Sequence, residues 1–419
     1  MSILHSFLKY YLTLSFLVIS SSVLSDSLSI SLDDGNEIEV IQYPASGDKL
    51  MVVLPSEHGV TDGLTDLAIS LQKQGIETWI AAPFSSLMLP NLESSLKKIP
   101  LDAYVKLLIK AQASGKKIYL FSNDNGTENL LLAAHQWQLK NQALIHGVIL
   151  ISPNVYITTP TAGNNGQLVP IVSASNLPVF IFLPAKSTLT LQIKDTVKAL
   201  EQGGSDVFVQ VLKNVRARFF FRNDATDAEV ETFPKLSKHI VRAMKVMTAY
   251  ARPRKPAPLA EQKPIVRKKT TGKLQYYTGT VKPDNFSIRD IKNKQHSLKD
   301  YQGKVLIVNF WASWCPPCVH EMPSMSALKD KIGADYFDIL AINLGEPAED
   351  IAEFLKAHPV NFPILPDPQQ KLAKTWKVFA FPTSYIIDKK GNIRYSVAGG
   401  IDWNTPQVRQ VIEKLLKED

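Results

Sequence analysis

Cysteine is nearly absent from this chain. Its 419 residues include two, and both fall within the stretch Cys315-Pro316-Pro317-Cys318. A protein stapled by disulfides spreads its cysteines over distant segments, because a bridge stabilises most when it closes a long loop. A bridge across two intervening residues closes almost none, so the pair points to chemistry. Two thiols also fall short of the four ligands of a closed zinc site, and neither a metal nor another cofactor is expected. Long apolar runs are missing beyond the N-terminus, where a spanning helix would need about 20 residues. Low-complexity tracts and internal repeats are also missing. The net charge of +8 comes without any nucleic-acid reader motif, so nucleic acid is not an expected partner.

What remains is the composition of a soluble globular protein, 45% hydrophobic and 21% charged. A chain this long exceeds one hydrophobic core, and two domains are the natural division. At the N-terminus, Met1 to Tyr10 carries Lys9 and no acid, and an apolar stretch runs from Tyr11 to Leu24. Val23 and Ser25 are small enough for a signal-peptidase site, so residues 1–25 read as a signal peptide cleaved before Asp26. The alternative is an uncleaved membrane anchor.

Residues 26–250 alternate strand-like and helix-like segments. Apolar runs at Lys49–Leu54, Glu77–Ala81, Lys117–Phe121, Gly147–Ile151, Val179–Leu183 and Val207–Val211 are separated by helical periodicity. That pattern predicts an α/β domain with a mostly parallel sheet covered on both faces. From Ala251 the character changes: three prolines fall within Ala251–Ala260, and Lys263, Arg267, Lys268 and Lys269 follow. Proline disfavours helix and sheet while like charges extend a chain, so 251–274 is expected to be a tether, with membrane-surface contact through its basic residues as the alternative. Residues 275–419 form a second α/β unit around the nearly unbroken apolar strand Lys304–Phe310.

That strand leads through Trp311 and Trp314 into Cys315, where a helix is expected to begin. The unpaired N–H groups and dipole of a helix N-terminus favour negative charge, and hence a thiolate. Pro316 and Pro317 suit a first helical turn, where a missing N–H loses nothing. Cys315 is therefore expected to be the exposed attacking sulfur and Cys318 the shielded resolving one. Further along, Phe379-Ala-Phe381-Pro382-Thr383 precedes a strand, and X-Pro bonds are where cis peptides occur.

These segments together resemble the TlpA/ResA-type branch of the thioredoxin superfamily over residues 278 to 419. The matching stretches are Asp284-Asn-Phe-Ser287, Gly303 through Cys318, Glu321-Met-Pro323, Asn343-Leu-Gly-Glu346 and Phe381-Pro-Thr-Ser-Tyr-Ile-Ile-Asp388. The resemblance implies a thioredoxin fold and a periplasmic thiol–disulfide oxidoreductase acting on protein disulfides, with electrons from a membrane thiol donor of the DsbD type. It also implies that Pro382 is cis and faces the cysteines, leaving the Phe381 backbone for the client, with Trp314 and Thr383 beside it. Ordinary thioredoxins carry an aspartate where Asn309 stands. Glu321 occupies the position where the TlpA/ResA branch has a glutamate under the cysteines, and a partly buried carboxylate there would take the proton of Cys318. Glu346 is a weaker candidate, with a loop-surface role at least as apt.

Residues 26–250 resemble, less closely, the α/β-hydrolase fold. His58-Gly59 follows a strand where an oxyanion loop lies, and Ser122-Asn-Asp124-Asn-Gly126 sits where a G-x-S-x-G elbow would, with Asp124 in place of the serine. Neither an acid at Pro184–Ser187 nor a histidine at Lys213–Phe220 completes a triad, so a binding or docking scaffold is expected over a hydrolase using Asp124.

Overall fold

The computed structural model describes residues 26–140, 144–260 and 272–418; the expected signal peptide lies outside them. In the first unit, strands β1 (Asp26–Ser31) and β2 (Glu37–Tyr43) form an antiparallel ribbon ahead of β3 (Lys49–Val53), β4 (Ile76–Ala81), β5 (Lys117–Asn123), β6 (Ile145–Ile151), β7 (Val179–Lys186) and β8 (Val207–Arg216). They build one eight-stranded sheet in the order β1-β2-β4-β3-β5-β6-β7-β8, parallel from β4 onward. The central strands are buried on both faces, because helices cover each side. Leu50, Val52, Leu120 and Leu150 turn to one core, and Met51, Val53, Phe121 and Ile151 to the other. The mostly parallel sheet is as the sequence predicts. The ribbon β1–β2 is an addition: it alternates polar and apolar residues, so no unbroken apolar run marks it.

The last helix of this unit, Asp227–Thr248, starts at a capping box in which Thr226 and Glu229 satisfy each other's backbone donors. Beyond it, the first ten residues of the expected tether are held against the unit. His135 Nε2 pairs with Ala257 O at 2.7 Å, and Arg254 pairs with Asp206. Residues 261–271 of that segment lie outside the described residues.

The second unit has β9 (Gln275–Tyr276), the small ribbon β10 (Ser287–Arg289) and β11 (Gln295–Ser297), then β12 (Val305–Trp311), β13 (Phe337–Leu344), β14 (Ile364–Asp367), β15 (Thr383–Ile387) and β16 (Ile393–Ala398). Its main sheet runs β14-β13-β12-β15-β16-β9, parallel among β12, β13 and β14 and antiparallel from β12 to β9. This is a thioredoxin fold. All seven residues of β12 are buried, and their alternation splits them between two cores: Val305, Ile307 and Trp311 against one helical layer, Leu306, Val308 and Phe310 against the other. Asn309 has the parity of the first set, which packs with Met322 and Met325 of the helix Pro316–Ile332.

The two units touch. Gln192 Nε2 donates to Phe379 O at 2.7 Å, the rings of Tyr156 and Phe379 meet edge to face at 4.8 Å, and Ala162 is buried in the second unit's core. Among the described residues no helix is long and apolar enough to cross a membrane.

Candidate active site

The strand β12 ends at Trp311, and a tight loop brings Cys315 to the N-cap of the helix Pro316–Ile332, with both prolines in its first turn. Cys315 and Cys318 are joined by a disulfide, with Cα atoms 5.3 Å apart. Cys315 retains 5% exposure and Cys318 none, so the order of accessibility is as expected but its degree is not. The bond ties the sulfur of Cys315 to a fully buried partner, and both belong to an apolar cluster onto which Trp314 and Phe381 pack. The exposed attacking sulfur is thus a property to seek in the dithiol state, not in this one.

The loop before Cys315 is held by an acid. Glu346 accepts from the Ser313 backbone N–H at 2.8 Å and the Asn343 amide at 2.8 Å, and also takes a short hydrogen bond from the Ser313 hydroxyl. It is 5% exposed, which corrects the loop-surface expectation: its carboxylate holds Ser313 in the loop before Cys315 and ties that residue to Asn343.

Glu321 lies one helical turn beyond Cys318, on the same face. It is 3% exposed, so it is not a solvated helix residue. One carboxylate oxygen accepts from Asn309 Nδ2 at 2.8 Å; the other accepts from Trp403 Nε1 at 3.1 Å and the Ile401 N–H at 3.3 Å. Burial pushes its pKa up from 4.5 to about 7, against the lowering effect of those three donors. A group poised there takes or gives a proton near neutral pH. A surface cleft of about 530 Å³, lined by Glu321, Pro317, His320 and Asp402, lies beside it as a way to solvent. Trp403 and Ile401 were not legible as site residues: they come from the turn before the last helix, Pro406–Lys417, about eighty residues along the chain.

The Phe381–Pro382 bond is cis, as the resemblance implies. The Trp314 and Phe381 rings lie 5.7 Å apart, Gly399 N–H donates to Pro382 O at 2.7 Å, and Gly400 packs so closely on Pro317 that a Cβ there would sit 3.0 Å from its carbonyl oxygen. The cis-proline loop and the cysteine turn are thus neighbours. Pro382 is buried, whereas Trp314 and Phe381 are half-buried. The Phe381 N–H and carbonyl have no hydrogen-bond partner among the described residues, which leaves an extended chain two points of attachment. Thr383 is a correction: it is 1% exposed and its hydroxyl donates to Ala380 O at 2.7 Å, so it shapes the loop and offers no side chain to a client. Among the described residues no three metal-ligating side chains converge.

With this geometry in place, comparison with known proteins is informative. The model of the AhpC/TSA family matches residues 279–396. The thiol-disulfide oxidoreductase ResA of Geobacillus kaustophilus is 36% identical over 129 residues, which are 31% of this chain and 74% of that protein. The chain belongs to the ResA-type thiol-disulfide oxidoreductase family. ResA of Bacillus subtilis is 32% identical over 128 residues, 30% of this chain and 71% of its own. Among solved structures, StoA from Bacillus subtilis aligns with 32% of this chain and 98% of its own, at 28% identity and a TM-score of 0.28. The family model falls on the second unit, and with the ResA relatives it makes the chain a thiol–disulfide oxidoreductase with a large additional unit ahead of that domain.

The first unit has its own cluster. Asp124 follows β5 with a φ of 44°, in the left-handed region, and is 7% exposed. Gly126, two residues on, packs where a Cβ would lie 2.8 Å from Pro55 O, so the turn into the helix Gly126–Lys140 is tight. Burial pushes the Asp124 pKa up to about 6, partly offset by Arg218. Arg218 Nε lies 3.5 Å from Asp124, and Arg218 also bonds Glu57 Oε1 at 3.1 Å. The segment after β8 thus brings an arginine to the buried Asp124.

Proposed function

We propose that the chain reduces disulfides in proteins of the bacterial envelope, with Cys315 attacking, Cys318 resolving, Glu321 handling the proton and the Phe381–Pro382 loop holding the client backbone. In the dithiol form the Cys315 thiolate attacks a client disulfide, forming a Cys315–client bond and releasing one client thiolate. Cys318 gives its proton to Glu321 and attacks Cys315, closing the intramolecular bond and releasing the second client sulfur as a thiolate. Two electrons pass to the client, and the enzyme is left in the disulfide state described above. A membrane thiol donor of the DsbD type then restores the dithiol. The observation carrying this reading is the convergence on one helix end of an asymmetric cysteine pair, a buried acid with a pKa near neutrality and an unpaired backbone at the cis-proline.

Export through residues 1–25 to the periplasm, and a tether over 251–274, complete the proposal, with contact of its basic residues with an anionic membrane surface as the alternative. Its test is capture: Cys318→Ala leaves the mixed disulfide unresolved. Envelope proteins bound through Cys315 and released by dithiothreitol are the expected outcome. Failure of the Cys318→Ala variant to capture any envelope protein through Cys315 would count against it.

For the first unit we favour a hydrolase-like scaffold used for binding. The strand order and the left-handed turn at Asp124 support the scaffold, and the Asp124–Arg218 ion pair argues against a free nucleophile. An ester and haloalkane panel should give no turnover that Asp124→Asn abolishes; such turnover would establish a hydrolase.

A further inference from the structure

A cleft of about 690 Å³ lies at the carboxyl ends of the first unit's parallel strands, where open α/β sheets take their ligands. Asp124 from the end of β5, Ser152 from the end of β6 and Arg218 from beyond β8 form its floor. Its far wall belongs to the other unit: Phe379 and Ala380, the two residues before Phe381. Gln192 fixes that wall by donating to Phe379 O, and Tyr156 packs on the Phe379 ring.

We propose that this cleft is an extension of the client site, receiving the polypeptide segment that flanks the disulfide under attack. The inference rests on the reading of Cys315 and the Phe381 backbone as the place where the client binds. Phe379 and Ala380 directly precede Phe381 in the chain, so a client paired with Phe381 that continues past them reaches the cleft. The occupant is an extended, polar segment of low net charge. The lining balances Arg218 and Arg222 against Asp124 and Glu93, so neither sign of charge is selected. Ser152 is 1% exposed and Gln192 7%, yet Ser152 Oγ and Gln192 Oε1 have no partner, as befits groups awaiting amide hydrogen bonds. The half-buried Thr158, Thr159, Thr188 and Leu189 make the cleft a trough open to a passing chain, not a closed chamber.

The test uses the full chain and two peptides with one shared intramolecular disulfide, one carrying uncharged six-residue flanks, which reach about 20 Å, the other trimmed to two residues. The long peptide should be reduced with at least tenfold higher kcat/KM, and Thr158→Trp and Thr188→Trp should each bring that ratio towards one. In the Cys318→Ala background, a photoreactive residue at position 158 should cross-link to the long peptide held on Cys315. If the mixed disulfide forms but the ratio does not move and no cross-link appears, the cleft is not a client subsite. If no mixed disulfide forms on Cys315, the proposed function itself falls, and this extension with it.

Discussion

The side-chain amide of Asn309 donates to Glu321 Oε1 at 2.8 Å, joining the central strand β12 to the redox helix one turn beyond Cys318. The same amide donates to Ser384 Oγ at 2.9 Å on β15, the strand that follows the cis-proline. One side chain thus connects the acid, the strand under the cysteines and the strand leading from the client loop.

If Glu321 accepts the proton of Cys318, the rate of mixed-disulfide resolution rises with pH through about 7, where the carboxyl loses its own proton. Glu321→Gln should lower that rate by about 10²-fold and remove the inflection. Stopped-flow measurement of resolution between pH 5.5 and 9 reads both. An inflection retained in the Gln variant would assign the titration to another group.

Removing the Asn309 amide takes a donor from the ionised carboxylate and leaves the proton favoured. Asn309→Ala should therefore move the same inflection to higher pH and lower stability by about 1–3 kcal/mol, the usual result of leaving a buried polar group unpaired. A shift to lower pH, read in the same pH series, would contradict the hydrogen-bond assignment.

The raised pKa of Glu321 also makes folding stability depend on pH. Above 4.5 the unfolded chain releases this proton while the folded chain keeps it, so the folded state is favoured at low pH and that advantage disappears as pH rises to about 7. The loss is on the order of 3 kcal/mol. Urea unfolding of the oxidised protein should show stability falling from pH 5 to 8, and Glu321→Gln should remove that part of the slope. Equal slopes in the two proteins would mean the carboxyl is ionised at pH 5.

Glu346 is a structural clamp on the loop that carries the cysteines. Glu346→Ala should destabilise the oxidised protein by about 3 kcal/mol, since the Ser313 N–H and the Asn343 amide both lose a charged acceptor. Glu346→Gln, which keeps an acceptor, should recover about half. Denaturant midpoints of the three proteins decide the matter, and a neutral alanine variant would remove the clamp from the account.

The sequence made the second unit legible because its signals are local. Six apolar residues among the seven of β12, two prolines in a first helical turn and a proline at the head of β15 each act within a few positions. Glu321 was readable as a candidate through the family resemblance, but its environment was not: Asn309, Ile401 and Trp403 reach it from separate segments, and only the folded chain shows that they converge. In the first unit, the apolar strands announced the parallel sheet, whereas the ribbon β1–β2 has too few apolar residues to stand out. The docking of Phe379 on Gln192 and Tyr156 is a contact between units and leaves no periodicity to detect.

The central claim is that disulfide exchange begins at Cys315. The most direct test is the rate of dithiol-driven insulin reduction by the wild-type chain and by Cys315→Ser and Cys318→Ser. Turnover should vanish in the Cys315 variant, while the Cys318 variant should accumulate a mixed disulfide with insulin. Equal turnover in wild type and Cys315→Ser, or a covalent adduct on Cys318 in place of Cys315, would contradict the account.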